Sequence, residues 1–80
     1  MTTYYEEFIV HNGSRQPLAL YRREIESGVN VDRIYTRDGT WAPTGEIAAW
    51  SLGMGDLDME EVDAVAAGSF IEKVKDSFLA

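Results

Sequence analysis

The sequence predicts an α+β fold: a three-stranded antiparallel β-meander, extended to four if Thr40-Trp41 adds a short return, packed against two or three C-terminal helices. Tyr4 to His11 is rich in aromatic and β-branched residues, and the first 41 positions are punctuated by Asn12-Gly13, Ser27-Gly28 and Asp38-Gly39. Such pairs supply the positive φ angles of tight hairpin turns. Beyond Pro43 the apolar spacing changes from two to three and four, the helical period. With 80 residues and 45% hydrophobic content, the chain suits one small domain, 1–80, with a core of its own.

Tyr4 to His11 forms the first strand, ended by Asn12-Gly13. Leu18 to Ile25 forms the second, with Pro17 at its mouth, where a missing backbone donor does least damage. Glu26 to Asn30 turns the chain, and Val31 to Thr36 forms the third strand. Strand alternation puts Arg33, Tyr35 and Arg37 on one face and Ile34 and Thr36 on the other, so this strand is expected to be partly buried on both sides.

Pro43 and Thr44 open a short helix on which Ile47, Trp50 and Met54 recur, and Gly53 and Gly55 end it. Asp58-Met59-Glu60-Glu61 then reads as a capping box, with Leu57 and Val62 as its hydrophobic staple, so a helix is expected from Asp58. Val62, Ala66, Phe70, Val74 and Phe78 form its packing stripe, flanked by Ile71. Gly68-Ser69 interrupts the stripe and Ser69 with Glu72 repeats the capping pattern, leaving one kinked helix or two over 59–79. The expected core is Trp41, Ile47, Trp50, Val62, Phe70 and Val74, with Phe8, Val10, Leu20 and Ile34 from the sheet.

Charge is divided unevenly. Residues 1–40 hold five Arg against six acids, whereas residues 41–80 hold two Lys against eight. An acidic half of this kind repels nucleic acid and anionic membrane and can steer toward basic proteins, although a solvated surface explains it as well. The absence of cysteine rules out a disulfide framework and thiolate zinc, and cytoplasmic residence is expected. No basic leader and no apolar run of spanning length is present.

No residue set specifies catalysis, and a non-enzyme without cofactor or metal is expected. His11 is the lone histidine and has no Ser or acid pair at a recognised spacing. Asp56-Leu57-Asp58-Met59-Glu60 alternates carboxylates as a calcium loop begins, but Glu61 and Ala67 stand where that loop needs glycine and a bidentate Glu. Gly53-Met54-Gly55 lacks the third glycine and the preceding strand of a dinucleotide fingerprint.

Two surfaces remain. Glu60, Glu61 and Asp63 together with Phe70, Ile71, Val74 and Phe78 form a candidate partner-binding set, for another protein or for a homodimer through the terminal helix; intramolecular packing competes for the same residues. Tyr21 and Arg23 on strand two and Arg33, Tyr35 and Arg37 on strand three would make a nucleic-acid platform if their faces coincide, against ordinary cross-strand pairing of Arg with Glu6, Glu7 or Glu24.

At Gly39-Thr40-Trp41-Ala42-Pro43-Thr44, followed by Ile47, Trp50 and an Asp-x-x-Glu helix start, the chain resembles short actinobacterial and actinobacteriophage proteins of unassigned role. The likeness includes Tyr21-Arg22 and spans residues 18–67. It implies a meander that delivers Trp41 to a strand-to-helix junction, and an accessory role without catalytic residues. The expected function is therefore a non-enzymatic protein-binding module, a phage-type factor acting on a host protein. Single-stranded nucleic-acid binding, or acidic mimicry of nucleic acid, is the alternative.

Overall fold

The computed structural model describes residues 1–53 and 58–79, and side chains as far as Lys75. Five strands and two helices follow one another: β1 (Thr2–His11), β2 (Ser14–Glu26), β3 (Val29–Tyr35), β4 (Trp41–Pro43), α1 (Glu46–Ser51), β5 (Met59–Val62) and α2 (Ala64–Leu79). The strands form one antiparallel sheet in the order β4-β3-β2-β1-β5. The α+β meander is thus present, with a fifth strand added on the far side of β1.

Two hairpins set the register. Asn12 and Gly13 have φ of 51° and 78°, and Ser27 and Gly28 have 51° and 77°. Positive φ at both central residues of a two-residue loop matches the right-handed twist of the flanking strands. These tight turns let β2 start at Ser14 and run 13 residues, which at about 3.3 Å per residue accounts for the molecule's 39 Å long axis. The Thr36–Thr40 turn is held by the Asp38 carboxylate, which accepts from the hydroxyls of Thr36 and Thr40.

The sheet is covered on both faces, by one helix each. Because directly paired residues share a face, Tyr4, Leu20, Arg22, Arg33, Tyr35, Trp41 and Val62 lie on one side, and Tyr5, Ala19, Tyr21, Arg23, Ile34 and Met59 on the other. Helix α2 packs Ala67 and Phe70 onto Leu20, with Tyr4, Tyr35, Trp41, Val62, Ile71 and Val74 around them. Helix α1 seats Ile47 against Tyr21 and Met59, with Tyr5, Ala19, Ile34 and Trp50 around that cluster. Ile34 and Tyr35 therefore face opposite cores, as the mixed character of their strand predicts.

The expected core needs two corrections. Val10 is 65% exposed and Phe8 joins neither buried cluster, because their end of β1 extends past β5 and β3, and Tyr21, Met59 and Ala67 are buried where no burial is predicted. Leu20 at 0% and Ile47 at 1% exposure are the deepest side chains of the two clusters. At roughly 1.5 to 3 kcal/mol for each fully buried large apolar residue, they anchor the two layers.

The helix expected from Asp58 is also corrected. Met59–Val62 is a strand, pairing Glu7↔Met59, Glu6↔Glu60, Tyr5↔Glu61 and Tyr4↔Val62. Met59 and Val62 enter opposite cores from it, and Phe8 N–H donates to the Asp58 carbonyl at 3.0 Å. Edge pairing to β1 outweighs the local helical preference of Met-Glu-Glu. The cap moves to Asp63, whose Oδ1 accepts from Ala66 N–H at 2.8 Å, while its carbonyl accepts from Ala67 N–H at 3.0 Å. From there α2 runs as one helix through Gly68-Ser69. The short helix α1 stops at Ser51, followed by Gly53 at φ 73°. The expectations for Met54, Gly55, Asp56 and Leu57 lie outside the described residues.

Candidate functional site

The pairing of β1 with β5 ends at Glu7, and that of β2 with β3 ends at Tyr21. Phe8–His11 and Ser14–Pro17 go on as a two-stranded arm, capped by Asn12-Gly13. A bulge between Glu7 and Phe8 marks its base. Bulges increase local twist, which turns such an arm away from the sheet beneath it.

Arg15 ties this arm to the body. Its Nη1 donates to Glu60 Oε2 at 2.7 Å and its Nη2 to Glu6 Oε1 at 3.2 Å, and its guanidinium lies 3.8 Å from the centre of the Phe8 ring. Glu6 and Glu60 are cross-strand partners, a repulsive arrangement that one arginine between them converts into a clamp. The other side chains of the arm are unprotected: Ile9, Val10 and the adjacent Leu18 are 44%, 65% and 51% exposed.

Two clefts flank this end. One, of about 360 Å³, lies between the arm and α2 and is lined by Glu6, Arg15, Pro17, Ala66, Ser69, Phe70 and Lys73. The second, of about 230 Å³, opens where β3 stops and is bounded by Leu18, Ala19, Ile34, Tyr35, Phe70 and Val74, with Thr36 and Arg37 at its rim. Its lining combines residues of both sheet faces, so it is a notch in the sheet's end. The backbone here is a poor template for an added strand. Phe8 N–H points to Asp58, away from β2, so its partner Pro17 is turned outward, where proline offers no donor. The contact chemistry this end offers lies in its side chains.

The structure separates the residue sets expected to bind. Phe70 is buried, and Ile71 and Val74 pack on the Leu20 cluster, so α2 spends that face on the sheet. Glu60 is held by Arg15, and Asp63 caps α2. Glu61 is exposed on the opposite face of the sheet to Glu60. The Phe78 side chain lies outside the described residues.

The proposed Arg/Tyr platform is divided by the register. Tyr21 pairs with Ile34 and Arg23 with Asp32, which puts both on the α1 face, while Arg33 and Tyr35 lie on the α2 face. Arg37 falls beyond β3, in the turn. On the α1 face both groups are engaged. Arg23 grips Asp32 through two bonds of 2.8 and 2.9 Å, and that pairing holds its guanidinium above the ordinary arginine range. The Tyr21 hydroxyl donates to Glu7 Oε1 at 2.7 Å, and burial, then that bond, then the charges of Glu7 and Glu46 push its ionisation well above the usual phenol range.

His11 stands exposed at the tip of the arm, across from Ser14. Among the described residues no group of three His, Cys, Asp or Glu is placed to hold a metal, and no helix is long and apolar enough to cross a membrane. The exposed arm is not legible in the sequence, because burial of Ile9, Val10 and Leu18 depends on how far the neighbouring strands extend, and spacing does not report that.

No family model, curated protein or solved structure matches this chain.

Proposed function

We propose that this chain is a non-enzymatic protein-binding module that engages its partner through the arm end of the sheet. The observation that carries the reading is the apolar notch beside the outward-turned edge of β2, lined by exposed Leu18, at the end of the sheet from which the arm with exposed Ile9 and Val10 projects. Exposed apolar side chains at the same end of a molecule as a preformed cleft are a common feature of protein contacts. The partner is taken to be a cytoplasmic protein with an apolar projection that fits the notch. The Gly39-to-Thr44 resemblance supports a bacterial host protein and a phage-encoded factor.

Affinity capture with the wild-type chain, Val10→Asp, Leu18→Ser and Lys75→Gln tests the reading. Val10, Leu18 and Lys75 are exposed, so these variants are expected to fold. A protein retained by wild type and Lys75→Gln but lost with Val10→Asp and Leu18→Ser is the expected result. Retention of the same proteins by all four chains would refute the arm as the site, as would failure to retain any.

A further inference from the structure

On the α2 face, away from the arm, Arg22 and Arg33 sit directly opposite each other on neighbouring strands. Like charges in this position are destabilising, and a single carboxylate, Glu24, lies between them. Glu24 Oε1 is 2.8 Å from Arg22 Nε and 3.8 Å from Arg33 Nη1. Neither contact is a hydrogen bond. The Arg22 Nε is sealed from solvent without an aligned acceptor, and the Arg33 contact is too long. Among the described residues, neither guanidinium makes any side-chain hydrogen bond.

The contrast with the other arginines is direct. Arg23 is gripped at both prongs by Asp32, and Arg15 reaches two carboxylates. Arg22 instead sits over Trp41, with its guanidinium carbon 4.3 Å from the ring centre, and Tyr4 and Tyr35 buttress that ring at 6.3 and 5.3 Å. The ring holds the guanidinium in place, and with Nε sealed beside Glu24 the two terminal nitrogens of Arg22 remain as donors without an acceptor among the described residues. The side chains of Arg22, Arg33 and Glu24 keep 21%, 30% and 29% of their exposure, enough to meet a ligand.

We infer that Arg22 and Arg33, braced on Trp41, form a binding site for a carboxylate. Two guanidiniums and one Glu leave one uncompensated positive charge, in a chain whose formal net charge is −7. A singly charged, planar carboxylate neutralises that excess and matches the two-pronged edge of a guanidinium. A phosphate dianion would overcompensate it, and a nucleic-acid strand would bring many charges toward an acidic protein. The carboxylate could belong to a free small acid or to the C-terminus of a peptide.

Titration of the full chain, followed by the Trp41 indole and arginine Nε–H signals in nitrogen-15 NMR at a constant ionic strength of about 150 mM, tests the site. The probes are acetate, acetyl-glycyl-glycine, inorganic phosphate and a ten-residue oligothymidine. Acetate and the peptide acid are expected to give saturable shifts with dissociation constants on the order of 1–10 mM, as befits a partly exposed ion contact. Both Arg33→Gln and the charge-conserving Arg22→Lys should weaken binding about tenfold, because lysine lacks the planar fork, while Lys75→Gln should leave it unchanged. A peptide acid tenfold tighter than acetate upholds the site and assigns it to chain termini; equal affinities uphold it and assign it to small acids. The inference is overturned by shifts that remain linear to about 50 mM, by Lys75→Gln weakening binding as much as Arg33→Gln, or by phosphate or oligothymidine binding tenfold tighter than acetate.

Discussion

Replacing Asp63 by alanine tests where the second helix begins. In the structure its Oδ1 accepts from Ala66 N–H at 2.8 Å, and its carboxylate stands beside the first turn of α2, where the helix dipole is positive. Removing an N-cap of this kind costs roughly 1 kcal/mol, within a range of about 0.5–2. In a domain of this size, 1 kcal/mol lowers the melting temperature by about 4–8 °C. Asp58, the cap that local sequence favours, contributes its backbone carbonyl to Phe8 but makes no side-chain hydrogen bond among the described residues, so Asp58→Ala should change stability by less than about 0.5 kcal/mol. Thermal and urea unfolding followed by circular dichroism on Asp63→Ala, Asp63→Asn and Asp58→Ala makes the comparison, with Asp63→Asn expected to keep most of the cap. Equal losses for Asp58→Ala and Asp63→Ala, or a greater loss for Asp58→Ala, would refute the strand at Met59–Val62 and restore a helix beginning at Asp58.

Leu20→Ala, at a fully buried position of the α2 layer, should cost about 2–5 kcal/mol in denaturant unfolding, enough to unfold a chain whose total stability is near 5 kcal/mol. Tyr21 has its ionisation raised in the folded state, so its contribution is complete below the ordinary phenol value of 10.0 and is lost as pH climbs above it; Tyr21→Phe should flatten the fall in stability on the alkaline side, measured by urea midpoints from pH 8 to about 11. Asp38 is held below the usual carboxylate range by the Thr36 and Thr40 hydroxyls and the Thr40 amide, so what it contributes is present above about pH 4 and lost as pH falls; Asp38→Asn should reduce the acid sensitivity of the melting temperature. Arg15→Gln should free the arm and leave Glu6 opposite Glu60 without a shared cation, seen as faster amide exchange at Ile9 and Val10 and unchanged exchange at Leu20.

The residues of the meander announce it because their signals are local. Asn12-Gly13 and Ser27-Gly28 adopt positive φ for reasons contained in the pairs themselves, and the alternation of Ile34 and Tyr35 foretells two buried faces. Ile47 and Phe70 likewise declare their burial through helical spacing. The Arg/Tyr surface was only half legible. Its residue types are apparent, but whether Tyr21 shares a face with Arg33 depends on register, and pairing Tyr21 with Ile34 sends them to opposite sides.

Local chemistry therefore determined the turns, the first strands and the two helical segments. Tertiary structure decided that Met59–Val62 is the fifth strand, that the helices cover opposite faces, that Arg22 and not Arg23 shares a surface with Arg33, and that Ile9, Val10 and Leu18 remain in solvent. The physical reason is range. A turn or a cap is settled by atoms within four residues of one another, whereas Met59 becomes a strand because Glu7, more than fifty positions earlier, presents an edge that needs a partner.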